Sequence, residues 1–262
     1  MNGHRPRKRF GQNFLHDRGV IERILQAARP RPDDRFVEIG PGLGALTRPL
    51  LERVGRLDLV ELDRDLVRHL RETLGTDPRV TLHPADALAF DFAALAAPGQ
   101  RLRVIGNLPY NISTPLIFHL LDQREAIEDM LFMLQKEVVD RLAAAPGGKT
   151  YGRLSVMVQA ACRVEPLFRV PPGAFRPPPK VESRIVRLVP HPTPPFEVGD
   201  PALFARLVAA AFAQRRKTLR NTLKGLADEA DLAACGIPPT ARAETLPPER
   251  YGALARHLSG KG

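Results

Sequence analysis

The sequence predicts an α/β protein with a doubly wound, mostly parallel sheet, an antiparallel edge and a small all-helical C-terminal domain. Three observations predict it. Short apolar, β-branched runs alternate with longer segments of helical spacing. A glycine cluster follows the first of those runs directly. Past residue 190 the alternation stops, and proline pairs punctuate helix-forming stretches.

The apolar runs come in order at residues 37–39, 57–62, 80–82, 102–105 and 130–134. Leu66, Leu70 and Leu74, between the second and third runs, recur at helical spacing. Strands alternating with helices imply a parallel sheet covered on both faces. Right-handed crossovers then make it doubly wound. Past Val138 the pattern changes. Residues 154–162 and 184–189 read as strands without long helices between them, suited to antiparallel addition at one edge. Residues 170–180 are crowded with proline, which a central strand excludes, so an ordered loop is expected there. Residues 191–201 are again proline-rich and mark a boundary. Residues 202–226 have helical composition, and Pro238-Pro239 and Pro247-Pro248 punctuate short helices beyond them. The expected division is a domain at 1–190 and a helical domain at 191–262.

Charge points to the class of partner. Lys plus Arg number 39 against 29 Asp plus Glu, a net charge of +10. Such an excess favours polyanions, nucleic acid foremost. No apolar run approaches the roughly 18 residues of a membrane span, and the basic N-terminus lacks the apolar stretch of a secretory signal. A cytoplasmic protein is expected. Cys162 and Cys235 stand far apart, which is neither a disulfide framework nor a zinc pattern.

The glycine loop reads E-x-G-x-G-x-G over residues 38–44. A dinucleotide loop has a different spacing and brings a pyrophosphate to a helix N-terminus. S-adenosylmethionine carries no phosphate. An acidic residue beside the loop suits its ammonium and sulfonium charges. Glu61 ends the strand expected at the second run, 21 residues after Gly40, where a carboxylate accepts from ribose hydroxyls. Asp86 follows the third run and suits the adenine amine of that cofactor.

Asn107-Leu108-Pro109-Tyr110 follows the fourth run. The N6 amine of adenine is a poor nucleophile, because its lone pair is conjugated into the ring. Its methylation calls for hydrogen-bond acceptors on the amine, and no general base of shifted pKa. Asn107 offers a side-chain carbonyl and Leu108 a main-chain one. Pro109 stiffens the turn by fixing φ. Tyr110 offers an aromatic face to an unstacked base, worth about 1–3 kcal/mol.

Five stretches together resemble the ribosomal RNA adenine dimethyltransferases: residues 12–15 (QNFL), 38–44 (EIGPGLG) with Glu61, 106–114 (GNLPYNIST), 175–183 (FRPPPKVES) and 214–221 (QRRKTLRN). The likeness is in register over nearly the whole chain. It is nearest to the small-subunit branch, whose members make N6,N6-dimethyladenosine on two adjacent adenosines in the 3′-terminal hairpin of 16S rRNA. The resemblance implies a Rossmann-like class I methyltransferase fold and S-adenosylmethionine as donor, leaving S-adenosylhomocysteine. It implies cofactor contacts at Gln12, Asn13, Leu15, Gly40, Gly42, Glu61, Asp86 and Asn107. It places the target base against Asn107, Leu108, Pro109 and Tyr110, with Phe175 closing its other face. The implied partner is small-subunit rRNA or the assembling 30S particle, met by a monomer.

Residues 202–224 hold six Lys/Arg and no Asp/Glu. Arg216, Arg220 and Lys224 recur every fourth residue, so one basic helix face is expected, joined by Arg215 and Lys217, for RNA. Arg5, Arg7, Lys8 and Arg9 form a second basic cluster.

Three other readings compete. A non-catalytic ribosome-assembly or RNA-binding factor would keep the fold without the chemistry, and the intact 107–110 turn and acidic positions disfavour it. A DNA adenine methyltransferase shares the Asn-x-Pro-Tyr logic but not the basic C-terminus. The erythromycin-resistance methyltransferases, which modify large-subunit RNA, share fold and turn. Residues 107–114 and 214–221 fit the small-subunit branch better.

Overall fold

The computed structural model describes residues 13–261. They fall into two compact units: residues 13–139 with 165–190, and residues 140–164 with 191–261. The division read from sequence differs, since it leaves residues 140–164 with the first domain.

The first unit begins with β1 (Phe14–Leu15) and α1 (Arg18–Ala28). The Asp17 side chain caps α1 by accepting the Val20 N–H, which satisfies one of the helix's unpaired donors. Val20, Ile21, Ile24, Leu25 and Ala28 form its buried stripe. β2 (Arg35–Ile39), α2 (Thr47–Leu51), β3 (Arg56–Glu61), α3 (Arg64–Leu74), β4 (Val80–Pro84), β5 (Leu102–Asn107), α4 (Ser113–Asp122) and β6 (Ile127–Gln135) follow. All five strand runs read from sequence lie within these strands, except that Leu62 falls just past β3. The strands pair in parallel, β4 on β3, β3 on β2, β2 on β5 and β5 on β6. Four consecutive residues of β2, Phe36 to Ile39, are buried, as a strand covered on both faces requires.

After β6 the chain forms α5 (Lys136–Leu142) and α6 (Arg153–Ala161). The strand expected at 154–162 is therefore a helix. Ser155 starts it, accepting the Gly152 N–H at 3.1 Å while donating to the Arg141 carbonyl at 2.6 Å. The strand lies just beyond, as β7 (Cys162–Val170), then β8 (Phe175–Arg176) and β9 (Ser183–Pro190). β9 runs antiparallel to β6, so the antiparallel edge is present. The seven-stranded order is β4-β3-β2-β5-β6-β9-β7, and β1 pairs separately with β8. Arginine side chains of the sheet tie α1 down by hydrogen bonds to its carbonyls. Arg103 of β5 holds Asp129 at 2.8 Å and donates to the Ala28 carbonyl at 2.7 Å. Arg187 of β9 donates to Ala27. α1 has no basic residue of its own in its last turn, and these guanidiniums serve its carbonyl end.

The second unit adds α7 (Pro201–Ala211), α8 (Leu219–Thr222), α9 (Glu229–Ala234) and α10 (Pro248–Ser259) to α6. Pro201 and Pro248 each stand in the first turn of their helices, where a missing N–H costs nothing. Phe204, Leu207, Tyr251 and Leu254 lie in its core, and the Tyr251 hydroxyl donates to the Ala243 carbonyl at 2.7 Å. The continuous helix expected at 202–226 is broken. α7 stops at Ala211, residues 212–217 are turns and bends, and α8 is four residues long.

Candidate active site

Parallel pairing brings the carboxyl ends of β2, β3, β4 and β5 to one edge of the sheet. Sheet order reverses between β2 and β5, since the chain builds β3 and β4 on one side of β2 and β5 on the other. Ligands of open α/β sheets bind at such a switch point. A cavity of about 210 Å³ opens there.

Its floor is the glycine loop after β2. Gly40 and Gly42 have φ of 65° and 59°, a left-handed conformation that a side chain disfavours. A Cβ on Gly42 would also meet the Phe14 ring at 3.1 Å. The loop therefore lets β1 lie against it. Gly106, on β5, has a different reason. A Cβ there would stand 2.5 Å from the Ile39 carbonyl oxygen, so glycine lets β5 approach β2 at the switch point.

Two carboxylates sit under the loop. Glu38 is 2% exposed, and its Oε2 has no hydrogen-bond partner among the described residues. Burial pushes its pKa up to about 7; the Thr47 hydroxyl acts against the rise, and repulsion from Glu61 adds to it. Glu61 accepts the Asp63 N–H at 2.9 Å on Oε1 and the Gly42 N–H at 3.4 Å on Oε2. Burial raises its pKa too, with the Asp63 and Gly42 amides opposing. Asp86 is exposed at the cavity, and its Oδ1 accepts the Leu88 N–H at 2.9 Å.

The 107–110 turn forms the opposite wall. The Asn107 side-chain amide donates to the Asn13 main-chain carbonyl at 3.0 Å. A carbonyl only accepts, so the amide nitrogen must face Asn13 and Oδ1 is left for another donor. Leu108 is buried and its N–H reaches the Met133 carbonyl at 3.3 Å. Ser113 Oγ donates to the Tyr110 carbonyl at 3.1 Å, and the Tyr110 hydroxyl lies 2.7 Å from Ser183 Oγ. Burial raises the Tyr110 pKa, with the Ser183 hydroxyl opposing.

The structure thus brings ten of the expected residues to one cavity: Asn13 and Leu15, Gly40 and Gly42, Glu61, Asp86, and the turn from Asn107 to Tyr110. Gln12 and the cluster at Arg5 to Arg9 lie outside the described residues. Phe175 is not brought to the cavity. It is 2% exposed, paired with Leu15 across β8 and β1, and packed in the core of its unit. The ring packs against β1 and does not line the cavity. Sequence reasoning left Phe14 and Ser183 without roles of their own, because only tertiary contact reveals them.

The basic residues are likewise rearranged. Arg215, Arg216, Lys217, Arg220 and Lys224 are all exposed, but they do not share a helix face. Arg216 and Lys224 lie in turns on either side of the short α8. Arg215 donates to the Lys149 carbonyl at 2.7 Å, and Arg220 pairs with Glu229 at 3.4 Å.

A family model described as ribosomal RNA adenine dimethylase matches residues 3–259. The chain is 60% identical over 256 residues to a ribosomal RNA small subunit methyltransferase A of Pseudomonas aeruginosa, covering 98% of this chain and 96% of that one. Among solved structures it is similar to a dimethyladenosine transferase from Plasmodium falciparum, with a TM-score of 0.77 and 25% identity over 92% of this chain and 95% of that one. It is also similar to the 23S rRNA methyltransferase ErmE, with a TM-score of 0.69 and 29% identity over 94% and 99% of the two chains.

Proposed function

This chain belongs to the ribosomal RNA adenine dimethylase family, and from that premise we propose that it dimethylates N6 of two adjacent adenosines in the 3′-terminal hairpin of small-subunit (16S) rRNA, with S-adenosylmethionine as donor, during small-subunit assembly. The observation that carries the reading is the Asn107 amide, turned by Asn13 so that its oxygen is open to an amine.

The cavity fits the donor. Glu38 presents a buried oxygen without a partner, suited to a cationic ligand. Glu61 keeps lone pairs for ribose hydroxyls after accepting its two amides. Leu62 lines the cavity beside it and is 51% exposed, an apolar face for a purine. Asp86 is placed to accept from the purine amine. When bound, S-adenosylmethionine supplies an electrophilic methyl carbon on a sulfonium.

The protein's part is orientation and electrostatics. Asn107 Oδ1 and the Leu108 carbonyl accept the hydrogens of the target amine and stabilise the positive charge that grows on nitrogen. Tyr110 fixes the plane of the base. Neither acceptor is basic enough to keep a proton, so the methylated amine releases its proton to water. One hydrogen remains on nitrogen after the first transfer, enough for a second transfer in the same site.

Identity of 60% to a small-subunit enzyme, against 29% to a 23S enzyme, supports the small-subunit substrate over the large. A membrane location has no support, since among the described residues no helix is long and apolar enough to cross a bilayer. We place the protein in the cytoplasm, acting as a monomer on rRNA within the assembling 30S particle, with residues 191–262 as its RNA-binding helical domain. The test is incubation of unmethylated small subunits with enzyme and donor, followed by mass mapping of the RNA. Dimethyladenosine at two adjacent positions near the 3′ end is the expected product. Methylation confined to 23S rRNA, or none, would overturn the reading.

A further inference from the structure

Ser183 is absent from every role assigned above, yet it is fully buried and bonded to the wall of the site. It opens β9, the antiparallel strand, and faces Gln135 across β6. Two residues along, on the same face of the strand by its period of two, Ile185 lines the cavity. Ser183 is 0% exposed, and its hydroxyl lies 2.7 Å from the Tyr110 hydroxyl. Tyr110 itself is only half-buried. Its main chain is held separately, by Ser113 on its carbonyl. The aromatic ring is therefore pinned at both ends, and the far pin comes from a different strand.

We propose that Ser183 is a positioning residue for methyl transfer, holding the Tyr110 ring at the angle that sets the plane of the target adenine. The proposal rests on the reading of Tyr110 as the stacking face. A tyrosine ring unpinned at its hydroxyl keeps two soft torsions, and a stacked base follows the ring. Transfer demands that the amine lie in line with the methyl group, and small misplacements there are costly. Within the FRPPPKVES stretch at 175–183, the phenylalanine packs in the core and the final serine meets the Tyr110 hydroxyl.

The full-length enzyme tests this with Ser183→Ala, Tyr110→Phe and the double variant, assayed on unmethylated small subunits. Tyr110→Phe keeps the ring and removes only the hydroxyl. Each single change is expected to lower kcat roughly 3- to 10-fold, the value of one lost hydrogen bond. KM for the particle and the calorimetric Kd for S-adenosylmethionine are expected to stay within twofold. The double variant is expected to be no slower than the slower single one, because both remove the same bond. Ser183→Thr, which restores a hydroxyl, is expected to recover part of the rate.

Wild-type kcat in Ser183→Ala, or losses that multiply in the double variant, would overturn the proposal. So would a weakened donor Kd that accounts for the loss. If Ser183→Ala fails to fold, Tyr110→Phe decides alone: unchanged turnover sinks the proposal. Failure of the underlying reading is distinguishable, since the wild-type enzyme would then leave adenine N6 in small-subunit RNA unmethylated.

Discussion

Asn107 and Asn13 are joined across the cavity by one hydrogen bond, 3.0 Å from the side-chain amide nitrogen to the main-chain carbonyl. The bond links the 107–110 turn to the residue that leads into β1, 94 residues away. It fixes which way the amide points. Asn107→Ala removes both the acceptor for the amine and the tie to Asn13. Turnover is expected to fall on the order of 100-fold or more, as for loss of a preorganised polar group. Cofactor affinity is expected to fall less. Single-turnover methylation with calorimetry separates the two, and near-normal turnover would contradict the role of Oδ1.

Glu61 makes the complementary case. Its carboxylate is buried, and both oxygens accept amides that shape the loop. Glu61→Gln keeps the size, but its NH₂ group faces one of those donating amides and offers no acceptor. The donor Kd is expected to rise about tenfold, with kcat at saturating donor changed much less, since a lost bond to a charged group is worth roughly 1.5 kcal/mol or more. Calorimetry gives the answer directly, and an unchanged Kd removes Glu61 from the ribose.

The buried Glu38 carboxyl predicts how stability changes with pH. Its folded pKa, about 7, stands above the ordinary 4.5 because burial disfavours the charge. Between those values the folded state holds more proton than the unfolded one, so stability falls as pH rises, and the fall levels off above about 7. The full effect is roughly 3 kcal/mol, from the two pKa values at about 1.4 kcal/mol per unit. Glu61 acts in the same direction. Glu38→Gln is expected to remove most of this fall while leaving the acid limb set by other carboxylates. Urea melts at pH 5 and pH 8 on both proteins check it; parallel pH dependence in the two would rule it out.

Much of this site was legible before the fold was known, and the reasons are local. Central parallel strands are buried on both faces, so 130–134 announces itself as a continuous apolar run, and 37–39 and 102–105 as apolar runs broken only by Glu38 and Arg103. The glycine loop and the 107–110 turn sit at strand ends, where spacing alone places them. The errors have physical causes. Residues 154–162 alternate Leu154, Val156 and Val158 with other residues and so mimic a strand, yet the Ser155 bonds start a helix. The true strand, β7, carries Arg163, Glu165, Pro166 and Arg169 as the edge of its sheet, where charge and proline are tolerated. Phe175 and Ser183 belong to one motif, and nothing in their spacing tells which is buried in the core and which touches Tyr110.

The broken helix changes the expectation for RNA binding. Had Arg216, Arg220 and Lys224 shared a face, all three would count alike. Instead Arg220 pairs with Glu229, and Arg215 is engaged by the Lys149 carbonyl. The side chains of Arg216 and Lys217 make no hydrogen bond or ion pair among the described residues, and both are exposed in the turn between α7 and α8. With Lys224, likewise exposed and without such a partner among the described residues, they are the cations of this set with most charge to offer a phosphate. Affinity for small-subunit RNA is expected to fall steeply with salt, through counterion release. Arg216→Gln with Lys217→Gln is expected to lower the slope of log K against log salt by about 0.7–0.9 for each phosphate contact removed. Arg220→Gln is expected to change it less, because Glu229 already neutralises part of that charge. Donor affinity, set in the other unit, is expected to stay constant in all of them. Filter binding from 50 to 200 mM salt measures the slopes. A salt-independent Kd, or an equal loss at Arg220, would return the basic residues to the role of a solvated surface.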